Sequence, residues 1–138
     1  MLVLSCESST LRVIVVDDHE LTRLTLKLAF SRQENIQVVG LASNGQEAIE
    51  LVERTHPDVI VLDLQMPIMD GWSASRHIKA IAPDTQIVAY SSVEDVKFQD
   101  PKEVGSLDAV CKKDVPTTEL IELVRQLGKK TANHSVSN

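Results

Sequence analysis

Apolar runs alternate along this chain with segments in which apolar residues recur every three or four positions. The apolar runs predict five strands, in LRVIVV, IQVVGLAS, PDVIVLDL, TQIVAYSS and LDAVCKK. The periodic segments predict helices in HELTRLTLKLAF, NGQEAIELVERT, DGWSASRHIKAIA and PTTELIELVRQLG. Strands that alternate with helices across short loops are typical of a parallel sheet with helices on both faces. The pattern therefore predicts a single, doubly wound α/β domain with a five-stranded sheet.

Helical spacing also predicts which side chains of the first two helices face the sheet. They are Leu21, Leu24, Leu28 and Phe30 in the first helix, and Ala48, Ile49, Leu51 and Val52 in the second.

The segment VEDVKFQDPKEVGS lies where the alternation requires a fourth helix, between the fourth and fifth strands. Pro101 has no amide hydrogen for a helical bond, and it disfavours helical angles at Asp100. We expect a short or broken helix there. At the two ends, residues 1–10 are expected to form a flexible arm and 129–138 a disordered tail, which leaves 11–128 as the domain.

Composition restricts the classes of function. The chain of 138 residues carries a net charge of −6, so this segment is not expected to bind nucleic acid by itself. It has neither a long apolar stretch nor a basic leader, and Cys6 and Cys111 do not form a CxxC pair. A reduced, cytoplasmic protein without a membrane segment is the expected class.

A parallel sheet binds ligands beyond the carboxyl ends of its strands, and that rule selects the candidate site. The residues at the predicted strand ends are Asp17 and Asp18, Asp63, Ser91 and Ser92, and Lys112 and Lys113. A helix N-cap accounts for at most one of the three acids. Crowded carboxylates repel one another unless a cation joins them, and an all-oxygen donor set suits Mg²⁺.

The remaining groups suit phosphoryl transfer. Only one of Lys112 and Lys113 can turn back over the sheet edge, because neighbouring side chains of a strand point to opposite faces. Ser91 offers a hydroxyl to a phosphoryl oxygen. Such chemistry depends on positioning, a divalent cation and hydrogen-bond donors, with Asp63 as the nucleophile that would form an acyl phosphate.

These pieces together resemble the receiver domain of a two-component response regulator over residues 11–128. The motifs that carry the resemblance are VVDDHELTR, DVIVLDLQMPIMDG, AYSS and CKKD. The resemblance implies the flavodoxin-like receiver fold with strand order 2-1-3-4-5. The DDHEL motif is similar to that of regulators with a C-terminal helix-turn-helix.

The resemblance also implies the metal ligands. Asp18 and Asp63 would ligate Mg²⁺ directly, Asp17 would contribute through water, and the backbone carbonyl of Gln65 would complete the protein ligands.

The implied function is a phosphorylation-dependent signalling switch rather than a turnover enzyme. Asp63 would be exposed and would take its phosphoryl group from a sensor histidine kinase or a phosphotransfer protein. Ser91 and Lys113 would then bind that group. A downstream protein, or a dimer formed on activation, would receive the signal, and transcription is one expected output.

The sequence departs from the family on the fifth strand and before it. Val110 stands where the family commonly has an aromatic residue, and Ser106 and Leu107 replace the usual Gly-Ala pair. Val110 and Pro101 favour an alternative, a docking module that works without phosphorylation, whereas the intact set of acids argues against it. A phosphatase is a third class of function, but it usually requires a second acid at the position of Gln65.

Overall fold

The computed structural model describes residues 10–92 and 106–136, with side chains up to residue 129. Its strands are β1 (Leu11–Val16), β2 (Ile36–Ala42), β3 (Val59–Leu62), β4 (Gln86–Ser91) and β5 (Ala109–Lys112). Its helices are α1 (Glu20–Ser31), α2 (Gly45–Thr55), α3 (Gly71–Ile81) and α4 (Thr117–Val136). The predicted helix broken at Pro101 falls in 93–105, outside the described residues.

All described strand pairs are parallel, and the sheet has the order β2-β1-β3-β4-β5. The predicted strand order is therefore confirmed. β1 and β3 lie side by side in the middle of the sheet, with Val16 paired to Leu62. Both strands are almost completely buried because helices cover both faces, which explains why their sequences are continuous apolar runs rather than alternating ones.

Alternate residues of β1 pack into two separate cores. Val13 and Val15 join the core on the α1 and α4 face, whereas Ile14 and Val16 join the core on the α2 and α3 face. Ala48, Leu51 and Val52 of α2 are buried as predicted, and Ile49 packs at the edge of the same core.

The predicted inward face of α1 is wrong except for Phe30. Leu21, Leu24 and Leu28 are 79%, 44% and 59% exposed, whereas Leu26 and Phe30 are buried against the sheet. The helix carries two apolar stripes, and periodicity alone does not tell which of them packs inward. Leu26 and Phe30 form the stripe that fills the core.

The closing helix α4 extends to Val136, past Gly128, where the predicted domain ended. Part of the tail predicted to be disordered, up to residue 136, is therefore helical. The domain limits themselves stay a prediction, and residues 1–9 and 137–138 lie outside the described residues. Among the helices that are described, none is long and apolar enough to cross a membrane.

Candidate functional site

Three acids meet at the carboxyl edge of the sheet because β1 and β3 are neighbours and end in register. The ladder continues one residue beyond each strand, with the amide of Asp63 donating to Val16 O at 2.9 Å and that of Asp17 donating to Ala42 O at 3.0 Å. Oxygens of Asp17, Asp18 and Asp63, together with a ring nitrogen of His19, all lie within 4.8 Å of one another. The structure thus brings together the predicted acids.

Asp63 was expected to be exposed, and this is wrong: its exposed fraction is only 3%, and that of Asp17 is 1%. A strand end in the middle of the sheet is covered by the loops and side chains of its neighbours. Asp63 Oδ1 accepts a hydrogen bond from the amide of Gln65 at 3.2 Å. The side chain of Asp18, unlike those of Asp17 and Asp63, is partly exposed to solvent.

Lys113, not Lys112, turns back over the acids. Its Nζ lies 3.2 Å from Asp17 Oδ2 and 3.6 Å from Asp63 Oδ2, while Lys112 points into solvent. The amide of Lys113 donates to Ser91 O at 3.0 Å, and its ammonium lies 5.8 Å from the centre of the Tyr90 ring. The end of β4 therefore fixes the backbone from which the lysine reaches the site.

Burial, and after it the negative charge of Asp17, raises the pKa of Asp63 to about 6, against the opposing effects of Lys113 and the Gln65 amide. Burial alone would lower the pKa of Lys113, but Asp17 and Asp63 more than offset it, and the net pKa is raised. The single ammonium of Lys113 therefore pairs with two buried carboxylates and remains charged, while Asp63 titrates at a pH of about 6.

His19 is a member of the cluster that the sequence analysis did not single out. Its Nδ1 lies 3.0 Å from Asp17 Oδ1 and 3.2 Å from Asp18 Oδ1, and its amide donates to Asp17 Oδ1 at 2.8 Å. In the sequence, the position of His19 directly after the two acids at the end of β1 is the feature that indicates its place in the cluster.

The remaining predicted residues border this cluster. Ser91 is fully buried at the end of β4, and the Gln65 side chain points to solvent. Trp72 packs against Leu64 and Ala89, which agrees with a role in the core rather than as a ligand. Val110 is exposed on β5.

The loop after Asp63 is held closely against the site. The amide of Gly71 donates to Leu64 O at 3.0 Å, and a side chain at Gly71 would overlap the carbonyl of Asp63, so only glycine fits. Met69 N donates to Pro67 O at 2.7 Å, with Ile68 between them at a φ of 71°, a rare conformation for a β-branched residue. Asp70 caps α3 by accepting from the amide of Ser73 at 2.8 Å.

The donor set fits a divalent cation. Asp17 Oδ2 is buried and, within the part of the chain that is described, makes no hydrogen bond; its charged neighbour is Lys113. Two buried carboxylates and a third, partly exposed one carry more negative charge than one ammonium balances. Hard oxygen ligands of this kind suit Mg²⁺.

The family model described as response regulator receiver domain matches residues 13–125. Over 112 residues the chain is 35% identical to the uncharacterized transcriptional regulatory protein YhcZ of Bacillus subtilis, covering 81% of this chain and 52% of the relative. It is 34% identical over 120 residues to the transcriptional regulatory protein LiaR of the same organism, covering 86% and 56%. The chain therefore spans about half the length of these two relatives.

Other relatives contain the matched part within a still longer chain. A protein-glutamate methylesterase/protein-glutamine glutaminase of Photobacterium profundum is 40% identical over 107 residues, which cover 75% of this chain but only 27% of that protein. Among solved structures, the receiver domain of the putative response regulator NarL from Mycobacterium tuberculosis is 30% identical with a TM-score of 0.75, covering 88% of this chain and 98% of that one. The response regulator domain of Thermotoga maritima CheB is 28% identical with a TM-score of 0.74, covering 87% and 97%.

Proposed function

Because the chain belongs to the family of response regulator receiver domains, we propose that it is a phosphorylation-dependent switch whose phosphoryl acceptor is Asp63. The observation that carries this proposal is the position of Asp63, buried at the end of β3 with Lys113 and Asp17 beside it. The phosphoryl donor is a phosphohistidine on a sensor histidine kinase or a phosphotransfer protein.

In the transfer step, a carboxylate oxygen of Asp63 forms a bond to phosphorus while the phosphorus–nitrogen bond of the donor breaks. The donor imidazole keeps the bonding electron pair and takes up a proton, and an acyl phosphate remains on Asp63. The nucleophile must be ionised, and at neutral pH a carboxyl group with a pKa of about 6 is mostly ionised. A metal-bound state favours the ionised form further.

Asp18, Asp63 and the carbonyl of Gln65 would hold Mg²⁺, with Asp17 contributing through water. When bound, the ion neutralises charge on the phosphoryl oxygens. Lys113 would exchange part of its contact with the carboxylates for a phosphoryl oxygen.

The hydroxyl of Ser91 would donate to a second phosphoryl oxygen. These added contacts exist only in the phosphorylated state, and their energy is what shifts the domain toward its active conformation.

The relatives named as transcriptional regulators support a role upstream of transcription, exerted through another domain or a partner protein. The switch would operate in the cytoplasm, where kinases of this class transfer their phosphoryl groups. Activation would change binding to a partner protein or to a second copy of this chain. The chain would catalyse its own phosphorylation and slow dephosphorylation, not multiple turnover of a substrate. The alternative is the docking module, favoured by the exposed Val110 in place of an aromatic residue.

Intact-mass spectrometry after incubation with acetyl phosphate and Mg²⁺ tests the proposal. One added phosphoryl group is expected on the parent protein and none on Asp63→Asn. Asp84→Asn makes the same change at an exposed carboxylate beyond the opposite edge of the sheet, and it should be labelled like the parent. Absence of labelling in the parent would favour the docking module, and equal labelling of Asp63→Asn would overturn the choice of acceptor.

A further inference from the structure

The proposed Mg²⁺ site uses only oxygen ligands, but the imidazole of His19 adds a nitrogen donor to the same cluster. Its Nδ1 lies 3.0 Å from Asp17 Oδ1 and 3.2 Å from Asp18 Oδ1. With Asp63, one donor atom from each of four residues falls within 4.8 Å of the others. Three carboxylate oxygens and one imidazole nitrogen form a complete set of ligands for a four-coordinate ion.

The spacing of these donor atoms is close to that of the ligand atoms around a zinc ion. With metal–ligand distances of about 2.0–2.1 Å, neighbouring ligand atoms of a tetrahedral site lie roughly 3.3 Å apart. The distances from His19 to Asp17 and Asp18 already approach this value. The side chains of Asp18 and His19 are the more exposed members of the cluster, so small rotations of these two can close the wider spacings around the buried Asp17 and Asp63.

Asp17 is a buried carboxylate aimed into the cluster with one oxygen that makes no hydrogen bond in the described residues. Its Oδ1 is fixed by the amide of His19 at 2.8 Å, and its backbone carbonyl is fixed by Arg23 Nη1 at 2.7 Å. Its Oδ2 is buried, with the Lys113 ammonium 3.2 Å away as an ion-pair contact. The carboxylate is therefore preorganised, and direct coordination of a cation would give Oδ2 a second partner beside the ammonium of Lys113.

A helix cap does not explain the orientation of the His19 ring. His19 occupies the N-cap position of α1, but its side chain makes no capping hydrogen bond. The ring instead contacts the carboxylates of Asp17 and Asp18. An ion pair between a protonated ring and these acids is the competing explanation, and titration with Zn²⁺ separates it from metal ligation.

We propose that Asp17, Asp18, His19 and Asp63 form a second metal-binding mode that takes a divalent transition-metal ion of the zinc type and blocks phosphoryl acceptance. This inference rests on the proposed role of Asp63. Imidazole nitrogen favours zinc, nickel or copper over magnesium, so His19 makes the mode selective. Four protein ligands close the coordination shell, as in structural zinc sites, and no position remains for a phosphoryl oxygen. Zn²⁺ and Mg²⁺ then compete for Asp18 and Asp63, and the zinc-bound receiver is unreactive.

The first test measures how ZnCl₂ inhibits acetyl phosphate labelling in the presence of Mg²⁺. Each rate is divided by the rate of the same variant with Mg²⁺ alone, so that any effect of the substitution on basal labelling cancels. His19→Ala should require at least about tenfold more Zn²⁺ for half inhibition than the parent, since a ligand is lost. His77→Ala, an exposed histidine on α3, is the matched control and should be inhibited like the parent. Equal inhibition of the parent and His19→Ala would overturn the proposal.

The second test detects the ligand directly, by nuclear magnetic resonance of protein labelled with ¹⁵N-histidine and titrated with ZnCl₂. Zn²⁺ should shift the Nδ1 resonance of His19 strongly, and Asp18→Ala should weaken that shift, whereas Mg²⁺ should not produce it. An unchanged His19 resonance would leave only the ion pair and would overturn metal ligation. This readout does not depend on phosphorylation. If the parent cannot be labelled with Mg²⁺ alone, the proposed function and the claim of inhibition fail, and the resonance still decides whether His19 is a ligand.

Discussion

The Nζ atom of Lys113 lies 3.2 Å from Oδ2 of Asp17, a shorter separation than the 3.6 Å between the same nitrogen and Oδ2 of Asp63. The ammonium therefore lies closer to the neighbour of the proposed acceptor than to the acceptor itself. Two buried carboxylates share this single positive charge, and burial together with the excess negative charge keeps the pKa of Asp63 high. A cation, or the removal of one carboxylate charge, relieves that excess.

Replacing Lys113 should destabilise the protein in a pH-dependent way. Lys113→Gln leaves Asp17 and Asp63 facing each other without a counter-charge, and at pH 7.5 the free energy of unfolding should fall by about 1–3 kcal/mol, allowing for the partial exposure of the lysine. The deficit should shrink toward pH 5, where Asp63 becomes protonated. Urea denaturation at both pH values measures it, and Lys112→Gln serves as the exposed control. A deficit that is equal at both pH values would contradict the shared-charge explanation.

Asp63→Asn should stabilise the metal-free protein at neutral pH. The pKa of Asp63 is raised from 3.8 to about 6 in the folded state, so the folded state binds this proton more tightly than the unfolded state does. The stability that this group contributes is therefore full below about pH 4 and is lost as the pH rises through 6. An amide avoids that loss, and the gain should be roughly 1–3 kcal/mol at pH 7.5 and close to zero at pH 4.

Thermal or urea unfolding of Asp63→Asn at the two pH values checks this prediction, with Glu53→Gln, at an exposed position of α2, as a control that should change stability by less than about 0.5 kcal/mol. A less stable Asp63→Asn at pH 7.5 would mean that the pairing with Lys113 outweighs burial and the repulsion from Asp17.

Mg²⁺ binding should depend on Asp18. Because much of the coordination shell is expected to remain water, the affinity should be weak, and Asp18→Ala should lower it by at least about tenfold. Trp72 packs against Leu64, the residue directly after Asp63, so its fluorescence can report binding, with calorimetry as an independent measurement. Glu20→Ala removes an exposed acid from the first turn of α1 and should bind Mg²⁺ like the parent. Equal affinities of the parent and Asp18→Ala would contradict the predicted ligand set.

The sequence predicts the sheet and the meeting of the acids for a simple physical reason. Apolar runs that end on Asp17 and Asp63 mark buried parallel strands, and topology alone brings the carboxyl ends of neighbouring strands together. The burial of Asp63 could not be predicted in this way, because it depends on how loops and the Lys113 side chain cover the strand end. The orientation of His19 likewise depends on the angle at which α1 leaves β1.

The strained turn at Ile68 illustrates a second limit of the sequence. A β-branched residue gives no local signal for a left-handed conformation. The turn forms because hydrogen bonds fix the backbone on the C-terminal side of Ile68. Met69 O accepts from the amide of Gly45 at 3.1 Å, and Gly71 closes on Leu64. Such tertiary contacts override local preference, so the residues of the loop do not by themselves reveal the conformation of Ile68.

Helix α1 provides a direct test of which apolar stripe stabilises the fold. Leu26→Ala removes a side chain buried against the sheet beside Phe30, and it should lower the free energy of unfolding by about 2–4 kcal/mol. Leu28→Ala makes the same change two residues later at a position that is 59% exposed, and it should change stability by less than about 0.5 kcal/mol. Both substitutions have the same effect on helix propensity, so the difference between them isolates burial. Urea denaturation with unchanged m values measures both. A larger loss for Leu28→Ala than for Leu26→Ala would mean that α1 is rotated about its axis in solution and that the stripe formed by Leu21, Leu24 and Leu28 packs inward.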